Sequence, residues 1–278
     1  MPDKLGGQSM KLRHDPYQVF RSSKSPAGLY ARQKWLDEAG TKLWEVDFEK
    51  KVSALLEGQL PNGSWNGSKI STIKHLFALH LTLRDPDPST DAALDWLLDR
   101  LQREPLPGKN KAGNWPPATE IKSLPFVSGP PGRMTFGATL FLATIFGRQR
   151  DPQVLAAYQW MVLEAFTVPH VWSTPAVTHN LFRALVVHPE FSSGDAVMSA
   201  VEQLARLQTA AGDWHPHLPF YQTINALAHL DLPRADKQLD RAFGLLLSRQ
   251  KRDGTWSRSE PEWNTFLAVH ALRNKGWL

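Results

Sequence analysis

The chain has 278 residues, of which 42% are apolar, and a formal net charge of +5 at pH 7. This length can bury one large core or two small ones. There is no cysteine, which excludes disulfides, thiolate nucleophiles and cysteine-bearing zinc sites. Because lysine and arginine are spread along the chain, we predict no nucleic-acid partner, while an anionic small molecule such as a diphosphate is compatible with the charge.

The first 28 residues are rich in lysine, glycine, serine and proline and have no hydrophobic period. We interpret residues 1–28 as a flexible N-terminal arm and residues 29–278 as a single domain. The arm lacks the apolar stretch of a signal peptide. The most apolar run, residues 134–146, is too short to span a bilayer. We therefore expect a cytoplasmic protein with no transmembrane segment.

Apolar residues at helical spacing follow along almost the whole of the remaining chain. Pro86 and Pro88 end one helix, and Ser89 or Thr90 is suited to cap the next. No stretch alternates as a β-strand does, so the predicted fold class is all-α. The predicted helices are 29–39, 42–56, 71–83, 89–102, 133–146, 152–165, 175–187, 196–208, 218–230, 235–250 and 261–273.

A pattern of seven residues, Gln-x-x-x-Gly-x-Trp, occurs three times, each time between two predicted helices. Its copies are Gln59, Gly63 and Trp65; Gln208, Gly212 and Trp214; and Gln250, Gly254 and Trp256. Trp115 keeps the end of the motif within a long proline- and glycine-rich stretch, residues 103–131. Trp172 occupies the corresponding loop position without the glutamine and the glycine. The last two intervals between loop tryptophans are both 42 residues, which is typical of one helical hairpin per repeat.

The residue types of this motif predict a structural role. A glycine after a helix can adopt the left-handed conformation of a C-cap. The tryptophan ring can cover the seam between two hairpins, and the glutamine amide can bond to exposed helix ends. The insert at 103–131 differs from these loops, because long irregular segments inside compact domains are often lids or functional inserts.

Three such copies in phase resemble the QW repeats of the squalene-hopene cyclase and oxidosqualene cyclase family. The wider superfamily includes class II terpene cyclases and the β subunits of protein prenyltransferases. The resemblance covers about residues 42–278 and implies an α/α toroid of about six inner and five outer helices. By this analogy, the helix after each loop tryptophan is an inner helix that lines a central cavity.

The same resemblance implies chemical groups that the sequence lacks. Cyclases of this family protonate their substrate with an Asp-x-Asp-Asp motif at the start of an inner helix, where this chain has Pro261, Trp263 and Asn264. Protein prenyltransferases bind zinc through Asp, Cys and His, where this chain has Gln222 in the matching Phe-Tyr-x-Thr context and no cysteine. We therefore predict no cofactor and no metal, and catalytic residues stay unassigned.

Polar and aromatic residues near the predicted starts of the inner helices are the candidate ligand-binding groups. Helix N-termini that converge at a cavity mouth favour an anion, and aromatic faces suit an apolar or cationic ligand. The rival interpretation is that these residues satisfy helix ends or fill the core. The candidates are Lys74, His75, Arg133, Trp172, His179, Tyr221, Gln222, Trp263 and Asn264.

The function we predict is a terpene cyclase/prenyltransferase-like protein that binds an apolar or isoprenoid-like small molecule in its central cavity. Whether the protein is an enzyme is left open. One alternative is a non-catalytic scaffold or binding protein on the same fold, which is compatible with a partner protein. The other is a carbohydrate-active or metal-dependent enzyme on an α/α toroid, which would need two carboxylates across the cavity or a cluster of histidines.

Overall fold

A computed structural model describes residues 12–83, 85–103, 116–129, 131–167 and 174–278, with the backbone alone at residues 131 and 165–167. Within these ranges the secondary structure consists of α-helices, one short 3₁₀ helix, Gln18–Phe20, and an isolated antiparallel bridge between Gln59 and Trp65. The α-helices are α1 Pro26–Lys34, α2 Lys42–Leu56, α3 Lys69–Thr82, α4 Pro88–Arg103, α5 Pro131–Ile145, α6 Pro152–Thr167, α7 Pro175–Leu185, α8 Asp195–Leu207, α9 Phe220–Leu227, α10 Pro233–Ser248 and α11 Pro261–Asn274.

Several helices begin where the sequence supplies a side-chain cap. The hydroxyls of Ser25, Thr41 and Ser68 accept hydrogen bonds from backbone N–H groups in the first turns of α1, α2 and α3. Thr174 does the same for α7. Such a cap satisfies an N–H that has no partner within the helix. Proline also occupies the first turn of α1, α7, α10 and α11, where it needs no N–H donor.

The odd-numbered helices form a closed cycle of neighbours. Helix α1 packs on α3, α3 on α5, α5 on α7, α7 on α9, α9 on α11 and α11 on α1. Each even-numbered helix packs on at least one odd-numbered neighbour. Helix α7 is buried on every side from Val177 to Leu185, as expected of a helix enclosed by others, whereas α8 and α10 bury one face.

The all-α prediction is confirmed by this architecture. Helix α2 has the predicted bounds, while α1 lies three to five residues earlier than predicted because Ser25 and Pro26 start it. The cycle of odd-numbered helices is the order of contacts that an α/α toroid requires. The toroid itself stays a prediction that this cycle favours. None of the described helices has the length and apolar character needed to cross a membrane.

The three Gln-x-x-x-Gly-x-Trp loops share one set of hydrogen bonds. The glutamine Nε2 donates to the carbonyl of the motif glycine, over 2.9, 3.3 and 3.2 Å in the three copies. The indole Nε1 donates to a carbonyl at or near the end of the preceding helix: Glu57, Leu204 and Leu246. These carbonyls lie near helix C-termini, where the helix has no further N–H groups to donate to them. Each loop therefore stabilises the C-terminal end of an even-numbered helix.

Two features require glycine at the motif positions: a left-handed backbone and the lack of space for a side chain. Their φ angles are 87°, 92° and 82°, in the left-handed region. A Cβ at Gly63 would lie 2.2 Å from the Ala92 carbonyl oxygen, and one at Gly212 would lie 2.6 Å from that of Arg241. The first two loops thus press against the next even-numbered helix. The motif tryptophans Trp115 and Trp172 lie outside the described residues.

The third loop packs against residues 12–25, whereas the first two loops pack against an even-numbered helix. A Cβ at Gly254 would lie 2.0 Å from the Asp15 carbonyl oxygen. The Oε1 of Gln250 accepts hydrogen bonds from the backbone N–H groups of Arg13 and His14 at 3.1 and 3.2 Å. Phe20 is fully buried. The described part of the segment predicted as a flexible arm, residues 12–28, is therefore packed against the last repeat and includes the start of α1.

Candidate functional site

A pocket opens between α1, α3 and α11, and we name it the α1–α3–α11 pocket. Its volume is about 470 Å³, within the range of small-molecule sites. Residues 122–124, in the described part of the predicted insert, and Leu55 of α2 complete the wall. The lining residues are Ser25, Pro26, Ala27, Leu55, Lys74, His75, Phe77, Ala78, Leu81, Lys122, Ser123, Leu124, Glu260, Pro261, Glu262 and Trp263.

The buried part of the pocket wall is aromatic and aliphatic. Phe77, Leu81 and Trp263 are buried side chains of α3 and α11 that border the pocket. The rings of Phe77 and Trp263 meet edge to face at 5.9 Å, and Trp263 stacks on Phe266 at 5.4 Å. Such packing holds the rings in fixed positions. The pocket therefore offers a rigid apolar surface to a ligand.

Cationic groups lie at exposed positions of the same pocket. The side chains of Lys74 and Lys122 are exposed and form no ion pair with the described residues. His75 is partly buried and stacks on Trp65, with ring centroids 4.6 Å apart. Its Nδ1 donates to the Ser71 carbonyl at 2.8 Å. Lys74 and Lys122 can therefore each pair with a negative group of a ligand.

Two carboxylates also border the pocket, in different settings. Glu262 accepts hydrogen bonds from the hydroxyls of Ser23, at 2.9 Å, and Ser25. It thereby joins the start of α11 to the start of α1. Glu260 has a left-handed backbone, with φ 48° and ψ 55°, and its Oε1 is buried without a hydrogen-bond partner among the described residues. A strained backbone at a non-glycine residue is more common at functional sites than elsewhere.

A second, smaller pocket of about 270 Å³ adjoins the first. It shares Lys122, Ser123, Leu124, Glu260 and Trp263 with the α1–α3–α11 pocket and adds Gln222 from α9. Residues 121–127 supply much of its wall. The buried Asn180 side chain fixes this segment, because it both accepts from and donates to the Val127 backbone at 2.9 Å.

Four of the predicted ligand-binding residues come together in these two pockets: Lys74, His75, Gln222 and Trp263. The structure does not bring the other described candidates to either pocket. Arg133 is buried in an ion pair with Glu164 at 3.0 Å. Asn264 Nδ2 donates to the Ser259 carbonyl at 2.9 Å, and the Tyr221 hydroxyl donates to the Trp256 carbonyl at 2.9 Å.

These three side chains are therefore bonded within the protein, and their assignment to a ligand stays a prediction. Burial raises the pKa of the Tyr221 hydroxyl. His179 is fully buried, and burial followed by the positive charge of Arg183 lowers its pKa to about 3, so its ring is neutral at pH 7.

The remaining candidate, Trp172, lies outside the described residues. Over the described parts of the chain, no group of three His, Asp or Glu side chains is placed to hold a metal ion.

Sequence reasoning missed several lining residues. Phe77 and Leu81 lie two to three turns after the start of α3, whereas the predicted ligand-binding residues lie near helix starts. Lys122 belongs to the proline- and glycine-rich insert, whose length and irregularity predicted a function without singling out a residue. Glu260 precedes α11, and no pattern in the sequence predicts its left-handed backbone.

Comparison with known proteins adds a likeness in fold. No protein-family model matches the sequence, and no curated protein matches it. A solved structure described as the crystal structure of a protein from Actinoplanes is similar, with a TM-score of 0.53 and 18% sequence identity. The match covers 94% of this chain and 90% of that one. At this identity the likeness concerns the all-α fold alone.

Proposed function

We propose that this chain is a terpene cyclase/prenyltransferase-like α/α toroid that binds an apolar or isoprenoid-like small molecule. The ligand lies in the α1–α3–α11 pocket rather than among all the inner helices. The proposal is supported by the three repeat loops and by the cycle of odd-numbered helices. It is a proposal of binding, since Trp263 and Asn264, at the positions of the cyclase acids, carry no acidic group.

The observation that carries the proposal is the pocket itself. Its volume of about 470 Å³ suits a molecule of drug or isoprenoid size. Phe77, Leu81 and Trp263 form a mostly apolar buried wall, so burial of hydrocarbon there is favourable at roughly 25 cal/mol per Å² of apolar surface. Lys74 and Lys122 lie where a polar or anionic end would meet solvent.

A thermal-shift screen against farnesyl diphosphate, farnesol, squalene and a set of oligosaccharides tests the proposal. We expect the isoprenoids to raise Tm and the oligosaccharides to leave it unchanged. The variant Ala78→Trp should fill the pocket and weaken isoprenoid binding about tenfold or more. Its control is Ala205→Trp on the exposed face of α8, which should bind as the wild type does.

The headgroup preference needs its own pair of variants. Lys74→Ala should weaken farnesyl diphosphate more than farnesol, because it removes a rim cation. Lys50→Ala, an exposed lysine of α2 outside the pocket, is the matched control and should weaken neither. The proposal fails if no isoprenoid binds to the wild type, or if Ala78→Trp and Ala205→Trp bind equally well.

One observation favours the carbohydrate alternative as a second candidate. Glu260 and Glu262 both border the pocket, together with the ring of Trp263. A glycosidase needs two carboxylates, one of which donates a proton. Because both oxygens of Glu262 accept serine hydroxyls, only Glu260 retains an oxygen without a partner among the described residues. A Tm increase with an oligosaccharide and with no isoprenoid would favour this candidate over the first.

A further inference from the structure

A group of basic side chains lies in the interior, outside the residues that line the two pockets. Arg183 of α7 is 4% exposed, and its Cζ lies 5.5 Å from the centroid of the Phe141 ring. His80 is near the end of α3, and His229 follows α9. The positive charge of Arg183 acts on both histidines and lowers their pKa, second in each case to burial. We name these three residues the Arg183 cluster.

Hydrogen-bond donors and acceptors in this cluster have no partners within the described chain. They are Nε and Nη1 of Arg183, Nδ1 of His80 and Nε2 of His229, and all four atoms are buried. A buried polar group without a partner costs about 1–3 kcal/mol, and more if it is charged. Four such atoms on three side chains indicate that this part of the interior can bind a group with complementary polar atoms.

The other buried arginines of the described chain show what is unusual about Arg183. Arg32 is 1% exposed and binds Glu38 at 2.7 Å and Asp47 at 2.9 Å. Arg133 is 6% exposed, lies over the Trp160 ring at 5.7 Å and binds Glu164 at 3.0 Å. Arg183 has the same burial and the same aromatic contact, but no described carboxylate pairs with it. A buried charge is normally paired.

The net charge of the cluster indicates the charge of its ligand. Burial lowers the pKa of Arg183 to about 9, so the guanidinium is still positive at pH 7. Burial, then Arg183, lowers the pKa of His80 to about 4, and His229 is likewise lowered well below its ordinary value. Both histidines are therefore neutral, and the cluster carries one positive charge. Lys275 nearby is neutralised by Asp236 at 2.7 Å.

Ring contacts connect these side chains in one part of the interior: the Phe141 ring, over which Arg183 lies, is 6.2 Å from the Phe77 ring that borders His80. The rings of His229 and His270 are 5.5 Å apart. His80 contacts the rings of Phe77 and Phe146 at 6.2 and 6.0 Å, so the surroundings are otherwise aromatic. A small ligand with a single charge fits this setting better than a hydrated polyanion.

We propose that Arg183, with His80 and His229, forms a binding site for a small monoanion, either a carboxylate or a halide. The guanidinium supplies the charge and planar N–H donors that match a carboxylate. The neutral histidines supply N–H donors to the same anion. This site does not depend on isoprenoid binding, and either proposal can fail without the other.

The first test measures Tm at pH 7.5 in zwitterionic buffer, at constant ionic strength set by sodium gluconate, whose anion is too large for an enclosed site. Replacing gluconate with formate or chloride up to 100 mM should raise the Tm of the wild type by about 3 °C or more. A response to formate alone assigns a carboxylate, and a response to both assigns any small monoanion. No response to either would overturn the proposal.

Two variants separate specific binding from a general salt effect. Arg183→Met removes the charge and should abolish the anion response, while Arg183→Lys should keep part of it. The control Arg133→Met breaks the pair with Glu164, so it should lower Tm in every salt and keep the wild-type response. Equal responses in Arg183→Met and Arg133→Met would contradict the proposal.

A second measurement needs no variant. Crystals of the wild-type protein soaked in sodium bromide should show an anomalous difference peak within about 3.5 Å of Nε or Nη1 of Arg183. The absence of a peak at Arg183, in crystals that show bromide elsewhere, would overturn the halide form of the site. Without a formate response as well, the whole proposal fails.

Discussion

The α1–α3–α11 pocket and the Arg183 cluster differ in how their charges are arranged. In the pocket, lysines and glutamates lie at exposed or partly exposed positions around an apolar wall. In the cluster, one buried guanidinium lies over the Phe141 ring, and His80 lies beside the rings of Phe77 and Phe146. The two regions meet at Phe77, which lines the pocket and whose ring is 6.2 Å from those of His80 and Phe141. One interior thus contains an apolar pocket wall and a group of buried polar side chains.

This difference in charge arrangement also predicts which region controls the pH dependence of stability and which controls ligand binding. Charges at the pocket rim are screened by water and contribute little to stability. Buried groups near Arg183 have strongly altered pKa values, so their protonation is coupled to folding. The cluster should therefore dominate the dependence of stability on pH, and the pocket should dominate ligand binding.

Acid should give the largest effect. His80, His179 and His229 have folded-state pKa values below the ordinary value of 6.5, because of burial and then Arg183. Between pH 6.5 and about 4 the unfolded chain binds more protons at these sites than the folded chain. Stability is therefore retained above pH 6.5 and lost as pH falls, by about 1.4 kcal/mol per pH unit for each histidine.

Urea denaturation at a series of pH values between 7 and 4.5 measures this slope. His80→Gln should reduce it by about 1.4 kcal/mol per pH unit. Ala78→Trp, which changes the pocket without removing a titrating group, should keep the wild-type slope. A slope that is the same in His80→Gln and in the wild type would show that the cluster does not control the acid response.

Phe77→Ala should have the next largest effect, because Phe77 belongs to both regions. Removal of this buried ring should cost about 3–5 kcal/mol in the free energy of unfolding. Phe77→Leu keeps most of the volume and should cost less than about 1.5 kcal/mol. If isoprenoid binding changes in Phe77→Leu while the anion response does not, the two regions are energetically separate.

Glu262→Gln should have a smaller effect, confined to the pocket. The carboxylate accepts hydroxyls from Ser23 and Ser25 and so holds α1 beside α11. Loss of its charge should lower stability by about 1–2 kcal/mol. Ser25→Ala in the same background should then cost less than it does in the wild type, as a double-mutant cycle would show. Additive losses would mean that this contact does not hold the wall together.

Much of the fold follows from the periodicity of the chain. Helix α2 has the bounds that its apolar spacing predicts. Helix α9 is shorter than predicted, Phe220–Leu227 against 218–230. It ends early because the N–H groups of His229 and Leu230 donate to carbonyls three residues back instead of four. Packing of residues 12–25 on the third repeat could not be predicted, because it depends on Gln250 meeting a segment more than 230 residues away in sequence.

The candidate site was predictable only where it coincides with helix starts. Lys74, His75, Gln222 and Trp263 lie near such starts and line the pockets. Arg183 lies near the end of α7, and the sequence of this segment is typical of an ordinary amphipathic helix. Its burial without a described counter-ion depends on how the helices of the cycle pack together. No local pattern of residues predicts that packing.

The most direct test of the central claim is a crystal structure of the protein with farnesyl diphosphate. We predict that the hydrocarbon chain lies against Phe77, Leu81 and Trp263, with the diphosphate towards Lys74 and Lys122. Hydrocarbon density at any other place, or a pocket without ligand at a concentration that saturates the thermal shift, would contradict the account.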